Sequence, residues 1–178
     1  MTPASVALFA KYNRWMNERL FEACGRLDPS EITKDKGAFF GSILGTLNHI
    51  AVADTIWLHR FATHKPRFSS LQDLATLPRP SSLRDTLATE LNELQIYRQK
   101  LDALIIAWAA ELTLEHLPAS LQYTNMAGVE NSKTFGDLLL HFFNHETHHR
   151  GQVTTLLFQS GVDVGVTDLL TLVPNSDA

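Results

Sequence analysis

Phe135-Gly136-Asp137-Leu138-Leu139-Leu140-His141-Phe142-Phe143-Asn144-His145-Glu146-Thr147-His148-His149 is the stretch that decides how this chain folds. Its apolar residues recur at three- and four-residue intervals, the period of a helix with one buried face. With His145 set at zero on a helix turning about 100° per residue, Phe135 and Val153 fall near +80° and Phe142 near +60°. Leu138 and Leu156 fall near +20° and Leu139 and Leu157 near +120°, which centres the apolar face at about +70°. His145 and His149, the latter at about +40°, lie within that face. His141 and His148, at about −40° and −60°, lie at its margin. Imidazoles four residues apart share a helix face and can close on one metal ion, which scattered histidines cannot. Half of the chain's 8 histidines fall between positions 141 and 149.

Outward from this run, the spacing predicts a helix from an N-cap at Thr134, with Asp137 in its first turn, to about Gly161. Three more long helices precede it. The first runs from about Ser5 to Cys24, with Phe9, Tyr12, Met16, Leu20 and Ala23 at helical spacing and Gly25 and Pro29 as stop signals. The second opens after Gly41 at an N-cap Ser42 and reaches about Phe61. Between Ile43 and His59 it holds one carboxylate, Asp54, and no Lys or Arg, so it should be buried on most faces. The third is expected from an N-cap Ser82, with Asp85 in its first turn. Leu83, Leu87, Leu91, Leu94, Leu101, Ile105, Trp108 and Leu112 form its seam, and Arg84, Glu90, Glu93, Arg98 and Lys100 its solvated faces. A Pro- and Ser-rich loop is expected over about 66–81. A short extended excursion is expected at 121–124 and 128–130, and a terminal turn at 168–172. The fold class that follows is all-α: a four-helix bundle in one domain over 1–178, with long connections after the second and third helices.

Bulk properties narrow the function. Hydrophobic residues make up 44% and charged residues 19% of the 178, the balance of an ordinary globular protein. A net charge of -4 and a pI near 6.0 leave no basic footprint for nucleic acid or anionic lipid. No apolar run approaches the ~18 residues of a membrane span, and the charged residues after Ala10 do not suit a secretory signal. Cys24 is the one cysteine and lies on an apolar helix side, a core thiol in a reducing, cytoplasmic setting.

A third ligand is expected from the most apolar helix. His49 shares a face there with Gly45, Val52, Ala53 and Ile56. Three neutral imidazoles with a vacant fourth position describe a catalytic metal site, whereas structural zinc sites are closed, usually by cysteine. His59, His64 and His116 read as surface residues. His145-Glu146-Thr147-His148-His149 also satisfies H-E-x-x-H, the metalloprotease signature. No glutamate follows Glu146, and Gln152 and Thr155 stand where the extended form needs glycine and histidine. A di-iron bundle needs a second Glu-x-x-His, and none exists. Glu146, near +100° on the wheel, is a carboxylate paired with an arginine or a ligand histidine from a neighbouring helix, or else a catalytic proton shuttle. Tyr123, Asn48 and Asp54 are candidates for the shell around the site.

Several of these residues together resemble the DinB-like (YfiT-like) metal-binding four-helix bundle family, which is distinct from the DNA polymerase of similar name. They are Tyr12-Asn13-Arg14-Trp15, Phe39-Phe40-Gly41-Ser42 leading into Gly45-Thr46-Leu47-Asn48-His49, and Asp54 with Ile56-Trp57-Leu58. The run from His145 to Gln152 and Gly165-Val166-Thr167-Asp168-Leu169-Leu170 complete the set, which spans nearly the whole chain. The resemblance implies one divalent metal ion (nickel, zinc or iron) held by His49, His145 and His149. It also implies a damage-inducible homodimer and, in some relatives, thiol-dependent transfer or hydrolysis. The expected function is that of a metal-dependent hydrolase or thiol S-transferase acting on a small molecule, a low-molecular-weight thiol being the cosubstrate of the second. The alternative is a metal- or ligand-binding stress-response protein without turnover. No nucleic acid and no membrane partner is predicted.

Overall fold

The computed structural model describes residues 1–175. Its helices are α1 (Pro3–Cys24), α2 (Pro29–Thr33), α3 (Ile43–Phe61), α4 (Leu91–Ala110) and α5 (Phe135–Gln159), and its strands are β1 (Ser120–Thr124) and β2 (Glu130–Thr134). Two single-turn 3-10 segments lie at Gln72–Thr76 and Leu169–Leu172. The four long helices form the bundle, α1 packing on α4 and α5, and α3 on α5 and α4. Residue pairing sets their directions. Phe61 meets Phe135 and Phe142 while His49 meets His145 and His149, so α3 and α5 are antiparallel. Thr55 meets Tyr97 and Phe61 meets Trp108, so α3 and α4 are parallel. A connection between parallel neighbours must return along the length of the bundle, which is why residues 62–90 form so long a crossover.

Local chemistry accounts for the helix ends. Thr2 and Ser5 form a reciprocal capping box at the start of α1, with Pro3 inside it. Ser42 caps α3 by accepting from the Gly45 amide at 3.0 Å. α5 stops at Gly161, whose φ of 82° is left-handed, and the Val162 amide reaches back to the Leu157 carbonyl. In α3 every residue from Ile43 to Leu58 other than Gly45 is buried, as its composition predicts. β1 and β2 make an antiparallel hairpin with Ser120 opposite Thr134, the expected excursion in a longer form.

Three expectations need correction. α4 begins at Leu91 rather than after Ser82, because Asn48 captures the preceding segment. Its amide donates to the Ala88 carbonyl (2.9 Å), and its oxygen accepts from the Leu87 (2.8 Å) and Ala88 (3.2 Å) amides. Those backbone groups are thereby lost to a helix, and Leu83 is left 43% exposed instead of joining the seam. Asp85 caps a turn, accepting from the Ser81 and Ser82 amides. Arg98, expected in solvent, is 3% exposed in an ion cluster. His64, expected at the surface, is buried against Phe68 and Phe135. The short helix α2 and the burial of Phe68, Leu71 and Leu74 in the crossover carried no periodic signal. Among the described residues no helix is long and apolar enough to cross a membrane.

Candidate metal centre

His49 from α3 and His145 and His149 from α5 converge where the two helices face one another. One ring nitrogen from each lies within 4.8 Å of the others, and the Nε2 atoms of His49 and His145 are 3.2 Å apart. Nitrogens about 2.0–2.1 Å from a tetrahedral zinc stand about 3.3 Å apart, so this spacing suits a shared ion. No other group of three or more candidate ligands converges among the described residues. His49 Nδ1–H donates to the Leu83 carbonyl at 3.0 Å, and His149 Nδ1–H donates to Gln152 Oε1 at 2.8 Å. Each bond fixes the tautomer that leaves Nε2 free as a ligand. Asn48 thus acts at one remove, pinning the segment that presents the Leu83 carbonyl to His49.

The wheel places these residues correctly but centres the face too early. Phe143, Glu146 and Arg150 are also buried, because α5 packs on α1 as well as α3, and the buried stripe of α5 centres near +90°. His145 and His149 therefore stand at its border, half-buried, with His141 and His148 exposed beyond. The border position keeps the cluster open on one side. A cleft of about 520 Å³, lined by Phe39, Phe40, His49, Leu83 and Arg84 among others, opens beside it.

Phe40 roofs the cluster, stacking on His49 with centroids 3.8 Å apart and meeting His149 edge-on at 5.5 Å. Glycines shape that roof. Gly41 has a left-handed φ of 76°, and a Cβ on Gly45 would stand 2.1 Å from the Phe40 carbonyl oxygen. Only a residue without a side chain lets the loop come so close.

Behind the histidines lies a buried ion cluster. Arg98 pairs with Asp54 and, at 3.0 Å, with Asp102. Arg150 pairs with Glu146 at 2.9 Å and also donates to Asn13. Asn13 and Asn17 donate to Asp102 at 3.3 and 2.9 Å. Burial, then the Asp54 charge, raises the Glu146 carboxyl well above its usual range, and burial also raises Asp102. Burial opposes the charge on Arg98, but Asp102, Asp54 and Glu146 outweigh it and its pKa rises. From sequence, Arg98 has a solvated face, Asn13 and Arg150 only a place in the family motifs, and Asn17 no role, and none of them has a place in an ion cluster. The signal available was Asp54 and Glu146 themselves, lone carboxylates on apolar faces that require buried cations. Cys24 is fully buried, and burial pushes its thiol up to about 12, which suits a core residue.

The profile of the DinB family matches residues 1–175. The chain belongs to the DinB family. It is 28% identical over 158 residues to the protein DinB of Bacillus subtilis strain 168, covering 89% of this chain and 87% of that one. YizA of the same organism is 26% identical over 149 residues, 82% of each chain. A DinB-like protein of Bacillus cereus ATCC 10987, solved by crystallography, superposes with a TM-score of 0.61 at 17% identity, over 89% of this chain and 94% of that one. The fold is thus that of a known DinB-like structure, and the three histidines form a cluster that could bind metal.

The state of the imidazoles bears on acid stability. Burial and then the neighbouring His149 and His49 hold His145 at about 3, and burial also lowers His49 and His149. Unfolded imidazoles take up protons near pH 6.5. Between pH 6.5 and about 3 the unfolded chain therefore binds more protons at His145 than the folded one does, and stability falls as pH falls. The raised Glu146 and Asp102 act in the opposite sense, so the effect is read against a variant. The urea midpoint of metal-free wild type should drop between pH 7.5 and 5 by more than that of His145→Gln. Parallel pH dependences in the two proteins would show that His145 is not held neutral.

Proposed function

We propose that this DinB family member is a divalent-metal-dependent enzyme that acts on a small molecule by hydrolysis or thiol transfer, with His49, His145 and His149 as the metal ligands. The convergence of three neutral imidazoles, one of which, His49, lines an open cleft, carries this reading. A divalent ion there, whether nickel, zinc or iron, would supply Lewis acidity toward water or a thiol and toward a substrate carbonyl. The protein's own groups do the rest. The Leu83 carbonyl and Gln152 orient two of the imidazoles, Phe40 shields their faces from water, and the cleft beside His49 admits the reactant.

Of the two roles read for Glu146, the ion-pair role has the geometric support, with Arg150 one turn along the same helix as the partner rather than a residue of a neighbouring helix. The side chain is fully buried and its Oε2 accepts from Arg150, which ties the backbone next to His145 to α1 through Asn13. We assign Glu146 a positioning role. The proposal carries with it a homodimer, supported by the family resemblance alone, and a cytoplasmic setting, supported by the lone, buried Cys24.

The test is a turnover screen of the nickel-, zinc- and iron-loaded protein against ester and amide panels and against electrophiles with several low-molecular-weight thiols. Turnover in at least one metal form, absent from the His49, His145, His149 triple alanine variant, is the expected result. Metal retained with no turnover across the screen would favour the binding-protein alternative.

A further inference from the structure

The crossover that Asn48 pins also covers a second cavity, three turns along α3 from the histidines. Its course is marked by two carbonyls: Pro78 faces His59 Nε2 at 3.3 Å and Leu83 accepts from His49 Nδ1. Beside the first of these contacts lies a cavity of about 270 Å³ lined by Ile56, His59, Arg60, Arg79, Tyr123 and Met126 among others. Arg60 follows His49 by eleven residues, about 16 Å along the axis and about 20° around it, so the two occupy one strip of α3. Trp57, against Tyr123 at 5.3 Å, and His141, 5.3 Å from Trp57 and 6.0 Å from His145, form an aromatic wall from one site to the other.

The electrostatics of this cavity are one-sided. Arg60 is half-buried, its guanidinium stacked 4.6 Å from the Trp57 ring and 4.8 Å from the Tyr123 ring. Contact with the two mutually tilted rings holds the planar fork in place. The Thr124 carbonyl, at 3.4 Å, is its one hydrogen-bond acceptor among the described residues. Among the carboxylates whose side chains are described, none lies within ion-pair distance of Arg60 or Arg84, although the chain as a whole is acidic. A guanidinium has five N–H donors arranged to receive a carboxylate or phosphate two at a time. A partly desolvated cation, immobilised and without a counter-ion, is poised for an anion from outside.

We infer that the Arg60 cavity is a subsite for the anionic group, carboxylate or phosphate, of a small molecule whose reacting end lies at the three histidines. The link to the histidines rests on the metal-site reading above; anion binding at Arg60 does not. The cavity admits a compact group, and the strip of α3 between the sites asks for an elongated molecule with its anion remote from the bond that reacts.

The first arm uses metal-free protein titrated with 3-phenylpropionate and with phenyl phosphate, followed by NMR at the Trp57 indole and Arg60 Nε–H signals. At least one probe should saturate. Arg60→Met should weaken it at least about tenfold, the loss of a charge-assisted bidentate contact. Arg60→Lys, which keeps the charge without the stacked fork, should fall between. Whichever probe saturates identifies the anion. Saturation by neither, or equal affinity in wild type and both variants with unchanged melting temperatures, overturns the subsite. The second arm uses metal-loaded protein and ω-carboxyalkyl hydroxamates of increasing chain length, the hydroxamate being a ligand for the ion. Affinity should rise sharply at one length in wild type and not in Arg60→Met. A flat series overturns the link between the sites. Failure to load metal with an intact first arm would instead overturn the metal-site reading and leave the anion site standing.

Discussion

Replacing His145 and His149 together with alanine should cut bound divalent metal from about one ion per chain to less than a tenth of that, measured by elemental analysis after dialysis. Two of the three converging imidazoles are lost, and one remaining nitrogen cannot chelate. His49→Ala alone should weaken binding by at least about 100-fold, more than the loss of an outer-shell partner costs. His148→Ala is the internal control: it lies in the same histidine-rich run but is exposed, so binding should not change. His145 and His149 both sit at the border of the buried stripe, so the double variant should keep its helical circular dichroism. Wild-type metal content in that folded double variant would place the ion elsewhere.

Arg98→Leu should lower unfolding free energy by about 3–5 kcal/mol, the cost of stranding buried charge. Arg98 contacts both Asp54 and Asp102, and its side chain is 4% exposed. Without it, three buried carboxylates would face Arg150 alone. The loss is read from urea unfolding, with a fall in melting temperature of about 6–20 °C for a chain of this size. Asp54→Asn with Asp102→Asn in the Arg98→Leu background should recover part of the loss, because the orphaned charges go with their partner. A change below about 1 kcal/mol for Arg98→Leu would mean that water screens the cluster.

Much of the fold could be read along the chain. α1 and α5 announce themselves by period, because each buries a stripe set by neighbours three and four residues away, and α3 by its nearly uncharged apolar run and its Ser42 cap. The hairpin also left a trace, in alternation around Gly128. The start of α4 did not: Leu83 and Leu87 continue its pattern, and only the Asn48 side chain, some 40 positions away in sequence, holds that segment out of the helix. The proposed metal ligands divide the same way. His145 and His149 are related by one helix and hence by spacing alone. His49 could be named as a histidine on a buried face, but its meeting with His145 depends on how α3 and α5 cross.

The same boundary separates the charged residues. Asp54 and Glu146 stand out because a lone carboxylate on an apolar face needs a partner. Which arginines answer, Arg98 from a face that looks solvated and Arg150 one turn along α5, depends on all four long helices meeting. Arg60 is an ordinary end-of-helix cation in the sequence, and it becomes a candidate anion site only where the hairpin's Tyr123 and the returning crossover enclose it. The sequence by itself therefore determined the four long helices apart from the start of α4, most of their buried faces and which two α5 histidines share a face, because periodicity and burial are properties of neighbours along the chain. The tertiary structure alone decided the returning strap, the ion cluster and the aromatic-walled cavity, because each joins side chains whose proximity no spacing encodes.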